Sequence, residues 1–266
     1  MRNITPQCLI LILGLTINGT VQAATITEHF DTDPGWTSFN LPNDGNDFGF
    51  RNSNYAGGDA GEVGGLFSRT DEVSWYGDDN VGVLGEDDAI QASGLMNIRS
   101  VEAGYNNNTH VGHFDSDGLS TFVINGIGFQ VLEQNSTSPF SFRIFYTIGS
   151  TEDFLFEING VDESRNWSYL YDPNDGDFGS LTVSISGAGG DTAKRFLTAG
   201  QRASIGNLNV FGLAEMDNSY AELPQAEIYV DDVTYTVVPI PPTMILFLSG
   251  ASLLLGMQRR RASSKA

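Results

Sequence analysis

Trp167, Tyr169 and Tyr171 alternate along the chain and run into an acidic turn, Asp172–Asp177. In an extended strand every second side chain points the same way, so the three rings share one face. Such a row is either a platform on which sugar rings stack their apolar C–H faces or part of a buried core. The polar ends of Trp and Tyr prefer an edge, which makes these three the candidate ligand-binding residues. The 33 carboxylates raise a second chemistry. Glycoside hydrolysis needs two of them about 5–10 Å apart, a separation that some pair in so acidic a chain meets by chance. His110-x-x-His113 offers two imidazoles, but a metal needs a third ligand from elsewhere. No Gly-x-Ser-x-Gly elbow for a nucleophilic serine occurs, and no glycine-rich loop follows a strand and opens a helix. The residues favour binding over catalysis.

Charge narrows the partners. All 33 acids fall within residues 24–238, which hold only 8 of the 13 basic residues, a formal charge of −25. A surface that acidic repels a phosphate backbone, so nucleic acid is not the partner. It suits a secreted protein kept soluble by self-repulsion, or one that binds cations.

The elements that must position these residues read as strands. Short β-rich runs recur at Thr121–Ile124, Ile127–Leu132, Phe140–Ile148, Phe154–Ile158, Leu181–Ile185, Ile205–Phe211 and Glu227–Val238. Asn-Gly, Asp-Gly and Gly-Gly pairs separate them, which are hairpin and loop signals. No dozen residues keep a helical apolar period without glycine. The fold class is therefore all-β, a two-sheet β-sandwich of the jelly-roll kind, over residues 24–238 as one domain. In the last run, Ile228 and Val230 hold one phase of the alternation, and Val233, Tyr235 and Val237 the other. Either a β-bulge at Asp231-Asp232 keeps both sets facing the core, or the strand is central and buried on both faces. Five glycines within 57–65 surround Glu62, a residue read as a buried partner of Arg51 or Arg69, or as a ligand-facing acid.

Both ends carry targeting signals. Arg2, the apolar stretch Cys8–Ile17 and Val21-Gln22-Ala23 form a signal peptide, residues 1–23, cut after Ala23. Cys8 is the only cysteine, so the mature chain relies on no disulfide. At the other end Thr243–Met257 is apolar and Arg259, Arg260 and Arg261 follow, placing the tail in the cytoplasm by the positive-inside rule. The helical part is near 15 residues, short for a permanent span of about 20.

This tail, with Val238-Pro239-Ile240-Pro241, an apolar helix and an Arg-rich end over residues 239–266, resembles the PEP-CTERM sorting signals of Gram-negative bacteria. The usual Glu of the motif is Ile240 here. The resemblance implies transient inner-membrane insertion, an exosortase-type membrane protease as partner, release to the cell surface or extracellular matrix, and a link to exopolysaccharide. The opening Ile26–Trp36 and the closing Ile228–Tyr235 resemble the first and last strands of concanavalin-like and carbohydrate-binding-module jelly rolls. By that resemblance the two strands lie side by side, calcium is a structural cofactor held by Glu28, Asp31 and Asp232, and the partner is an extracellular polysaccharide. The Glu-x-Asp-x-x-Glu of laminarinase-like hydrolases of this fold is absent.

Overall fold

The computed structural model describes residues 23–42, 46–68, 73–101, 109–117, 119, 125–133, 141–215 and 225–238. In chain order the strands are β1 (Ala24–Glu28), β2 (Thr37–Phe39), β3 (Asp47–Arg51), β4 (Glu62–Ser68), β5 (Ser74–Asp78), β6 (Ile90–Val101), β7 (Thr109–Phe114) and β8 (Gly126–Glu133). After these come β9 (Ser141–Gly149), β10 (Thr151–Asn159), β11 (Arg165–Asp172), β12 (Ser180–Ile185), β13 (Thr192–Phe196), the helix α1 (Ala199–Ala203), β14 (Val210–Glu215) and β15 (Gln225–Val237). They build an all-β sandwich. An eight-stranded sheet runs β13-β12-β11-β6-β15-β4-β3 with β1 also on β15, and a seven-stranded sheet runs β10-β9-β8-β7-β14-β5-β2. The run Thr121–Ile124 lies outside the described residues. Of the run Ile205–Phe211 only the end is strand, since β14 starts at Val210. The helix had no apolar period to announce it. It is set by a capping box, in which Thr198 accepts from the Gln201 amide and Gln201 caps Thr198 in return.

The first and last strands pair antiparallel, Glu28 opposite Val233 and Ala24 opposite Val237. On its other side β15 pairs with β6, and the register shifts between Asp231 and Thr234. Asp232 has φ +48 there. Two residues, Asp232 and Val233, thus face the single Gly94, which is the bulge offered as one account of the phase switch. Gly94 is needed at this place because a Cβ would come within 2.8 Å of the Asp231 carbonyl. Before the bulge the strand is also covered on both faces, since Tyr229 and Asp231 are buried along with Ile228 and Val230.

The core lies between the sheets, and it claims the aromatic row. Along β11, burial alternates strictly, with Trp167, Tyr169 and Tyr171 inside and Asn166 and Leu170 outside. All three rings are at most 2% exposed. They form no sugar platform. Their polar ends, which suggested an edge, find partners inside: Trp167 Nε1 donates to the Leu95 carbonyl at 3.0 Å, Tyr169 Oη pairs with His113 Nδ1 at 2.6 Å, and Tyr171 Oη donates to the Glu86 carbonyl at 2.6 Å. A buried large side chain contributes about 1.5–3 kcal/mol, so burying the row with its hydrogen bonds met is the stable arrangement.

His110 and His113 do not converge either. Residues three apart on a strand face opposite ways. His113 points into the main core, where its Nε2 also meets the Thr236 carbonyl at 2.8 Å. His110 packs edge-on against Phe114 on the other face of the seven-stranded sheet. Burial lowers the first to about 4 and the second to about 3, so both are neutral at physiological pH.

Candidate functional site

If the rings of β11 point inward, its intervening residues must face out. Ser168 does, and the neighbours it meets in register are also small and hydroxylated. Ser168 is opposite Ser93 on β6 and Ser184 on β12. Ser93 is opposite Thr234 on β15, Thr234 opposite Thr27 on β1, and Ser184 opposite Thr192 on β13. Six hydroxyl side chains therefore form one row across six neighbouring strands. At its two ends the hydroxyls pair with each other: Thr27 with Thr234 at 2.8 Å, and Ser184 with Thr192 at 2.8 Å. Ser93 and Ser168, in the middle, make no side-chain hydrogen bond with the described residues.

Because these side chains are small, the outer face of the sheet is hollowed into a trough along β6 and β11. One section is lined by Ser93, Gly94, Asn166, Ser168, Ser184 and Asp232, among others. The next shares Ser93, Ser168 and Ser184 and adds Gln91, Leu170 and Thr182. A third continues past Gln91 and Leu170 to Asp87, Asp88 and Asn174. A hydroxyl both donates and accepts, so this lining suits a ligand rich in hydroxyls. No aromatic ring is needed to close it.

The Asp232 end of the trough adjoins a second feature. Asp231 is 1% exposed. Its Oδ1 accepts the Asp232 amide at 2.7 Å, while its buried Oδ2 has no partner. Burial, followed by the charges of Asp232 and Glu62, raises this carboxyl to about 7. Gly58, at φ +83, lies against it. A Cβ there would stand 2.7 Å from Asp231 Oδ2 and 3.2 Å from Asp232 Oδ2. The glycine thus leaves a cradle between the loop and two carboxylates. Glu62 fixes that loop. It does not pair with Arg51, which bonds Asp47, and Arg69 lies outside the described residues; its carboxylate accepts the amides of Tyr55 at 3.0 Å and Ala56 at 2.7 Å. Asn97 holds the Tyr55 carbonyl at 2.6 Å.

These residues fit calcium in part. The ion takes 6–8 oxygens, charged ones included, and an orphaned carboxylate oxygen facing a glycine cradle is such a donor. Among the described residues no three His, Cys, Asp or Glu side chains converge on a metal position, so the rest of the shell would come from carbonyls and water. Of the expected ligands only Asp232 stands here. Glu28 shares the inward phase of Ile26, and its carboxyl is raised first by burial and then by Asp78, a residue of the opposite sheet that accepts from Tyr235 Oη at 2.7 Å. Asp31 is exposed. His29 instead bonds Asp232 at 2.7 Å, a contact that raises its pKa. Asp231 was legible only as a strand residue; the signal for it was its place next to the predicted bulge.

The acidic segments that begin at Asp115 and Asp172 are turns. Asp115 accepts the Asp117 amide and Asp172 the Asn174 amide, the Asx pattern expected of such sequences. Ala23 and Val238 bound the described sandwich. The Val238 amide donates to the Val81 carbonyl at 2.7 Å. Pro239, Ile240, Pro241 and Arg259–Arg261 lie outside the described residues, as do the apolar stretches of both termini. Among the described residues no helix is long and apolar enough to cross a membrane.

No family model matches the sequence, and no curated protein matches it. Solved structures do. Arcelin-5, a lectin-like defense protein from Phaseolus vulgaris, is 10% identical with a TM-score of 0.47, over 82% of this chain and 100% of that one. A Bauhinia forficata lectin in complex with GalNAc is 11% identical with a TM-score of 0.46 over the same shares. Peanut lectin is 11% identical with a TM-score of 0.43, again over 82% and 100%. The likeness is one of overall fold.

Proposed function

We propose that this is an exported, non-catalytic glycan-binding protein of the cell surface or matrix, and that it binds through the outer face of its eight-stranded sheet. The observation that carries the reading is the trough itself, open to solvent, with Ser93 and Ser168 unpaired on its floor. The candidate surface therefore moves from the rings of β11 to the residues between them. A glycan array probed with the full chain tests this. Binding that is lost in Ser168→Tyr, with the melting temperature unchanged, supports it; binding to no polysaccharide refutes it. Calcium at Asp231 and Asp232 would stabilise the bulge and the trough end.

Export rests on the two termini. A protease of the exosortase type would cut near Val238–Pro242, just past the last strand, leaving the sandwich whole. Intact mass of the exported protein checks this: retention of Arg259–Arg261 would make the tail a simple anchor.

A second reading is a structural matrix protein with no glycan pocket. The burial of Trp167, Tyr169 and Tyr171 favours it, because the fold then offers no ring platform. The same array separates the two.

A further inference from the structure

We infer that the trough takes an uncharged polysaccharide chain lying along β6 and β11, and that it rejects chains bearing uronate or sulfate groups. This rests on the glycan reading above and adds the ligand's direction and charge. The direction follows from the lining. Adjacent sections share Ser93, Ser168 and Ser184, and then the cross-strand pair Gln91 and Leu170, so the hollows adjoin one another in a line along the strands. From Asn166 to Leu170 the backbone advances about 13 Å at the usual strand rise, and a further hollow adjoins beyond Leu170 and reaches Asn174. That is room for several linked sugars and more than a single ring needs.

The charge class follows from what the lining holds. Asp232 stands at one end and Asp87 and Asp88 at the other, and no lysine or arginine is among the lining residues. The basic side chains nearby are already engaged on the acids: His29 on Asp232 at 2.7 Å and Arg202 on Asp87 at 2.7 Å. Neither is offered to a ligand carboxylate. A chain spanning the trough would bring its own anions toward acids at both ends, and like charges in contact oppose binding. The centre asks only for hydroxyls. Ser93 and Ser168 face each other across two strands, about 4.8 Å apart, without partners, whereas the outer pairs of the row are satisfied by one another. A neutral glycan supplies donors and acceptors at that point and nothing that the ends repel.

The test is equilibrium binding by the full chain, in buffer containing a chelator. The probes are a neutral β-glucan ladder of two to six sugars and polygalacturonate oligomers of the same lengths. The expected result is that neutral affinity rises with length, that the uronates bind at least tenfold more weakly, and that Ser168→Tyr abolishes neutral binding. Adding a cation to the floor by Ser93→Lys should bring uronate binding up at least tenfold while the melting temperature stays put. Uronates that bind wild type as tightly as the neutral ladder overturn the charge inference and leave the glycan reading intact. Equal affinity for two and six sugars overturns the direction. If neither ladder nor any arrayed glycan binds, the reading of the surface fails with it.

Discussion

His113 gives a pH test of the core that needs no ligand. Its ring is buried between Tyr169 Oη and the Thr236 carbonyl, and burial lowers it from 6.5 to about 4. Once unfolded it takes a proton near 6.5, so between those two values the unfolded chain binds a proton that the folded chain does not. Stability owed to neutral His113 is therefore full above pH 6.5, falls as pH drops through 6.5, and is gone at about 4. A displacement of that size is worth about 3.4 kcal/mol at 1.36 kcal/mol per pH unit. Asp231 titrates in the same window with the opposite sign, because its carboxyl is raised to about 7, and His110 adds a loss of its own. The wild-type curve mixes all three. The difference between wild type and His113→Gln isolates the one, since glutamine keeps hydrogen-bonding groups in the pocket and carries no titrating proton. Urea unfolding followed by tryptophan fluorescence at pH 7, 6, 5 and 4 should show that difference shrinking by about 3 kcal/mol. Parallel curves for the two proteins would refute the assignment of His113 as a buried neutral base.

Three further outcomes are expected. Trp167→Ala should cost about 3–5 kcal/mol in urea unfolding, while Trp167→Phe, which keeps a ring inside, should leave glycan affinity within twofold; a large affinity loss in the second would return the ring to the ligand. Arg165 is 1% exposed and donates to the carbonyls of Ser186 and Ala188 at 3.0 and 3.1 Å as well as to Asn159 and Glu163. Arg165→Met strands these acceptors and should cost about 3–5 kcal/mol, read from the same urea curves. Chelation should lower the wild-type melting temperature by several degrees if calcium sits at Asp231 and Asp232. Gly58→Ala, whose Cβ would crowd both carboxylates, should remove that response, and a Gly58→Ala protein still stabilised by calcium would place the ion elsewhere.

The strands and their partners at the two ends were legible because period-2 patterns and glycine turns act locally. The bulge was legible for the same reason, as a break in phase at Asp231-Asp232. What the alternation could not give was which phase of β11 faces water. Asn166, Ser168 and Leu170 look unremarkable beside three aromatics, so the rings drew the functional reading although they were the core. The hydroxyl row was hidden because its members lie on six strands, from Thr27 to Thr234, and only the register brings them together. The burial of Glu62 was legible, but the backbone partners of its carboxylate were not. A buried carboxylate suggests a charged partner, yet it accepts two backbone amides of its own loop, and no spacing rule marks them.

The position of β15 has a consequence for how the chain is made. Among the described residues it is the last strand in sequence, and it joins β6 on one side to β4 and β1 on the other. Until residue 237 is available, the eight-stranded sheet exists as two unconnected parts, β13-β12-β11-β6 and β4-β3, each with an open edge where the missing strand belongs, and β1 has no partner strand. Completion of this sheet therefore waits until the chain is available almost to residue 237, and contacts between residues some 200 positions apart must then form together. The same delay means that a copy truncated before Gln225 is left with its sheet divided, its unpaired edges open to other chains.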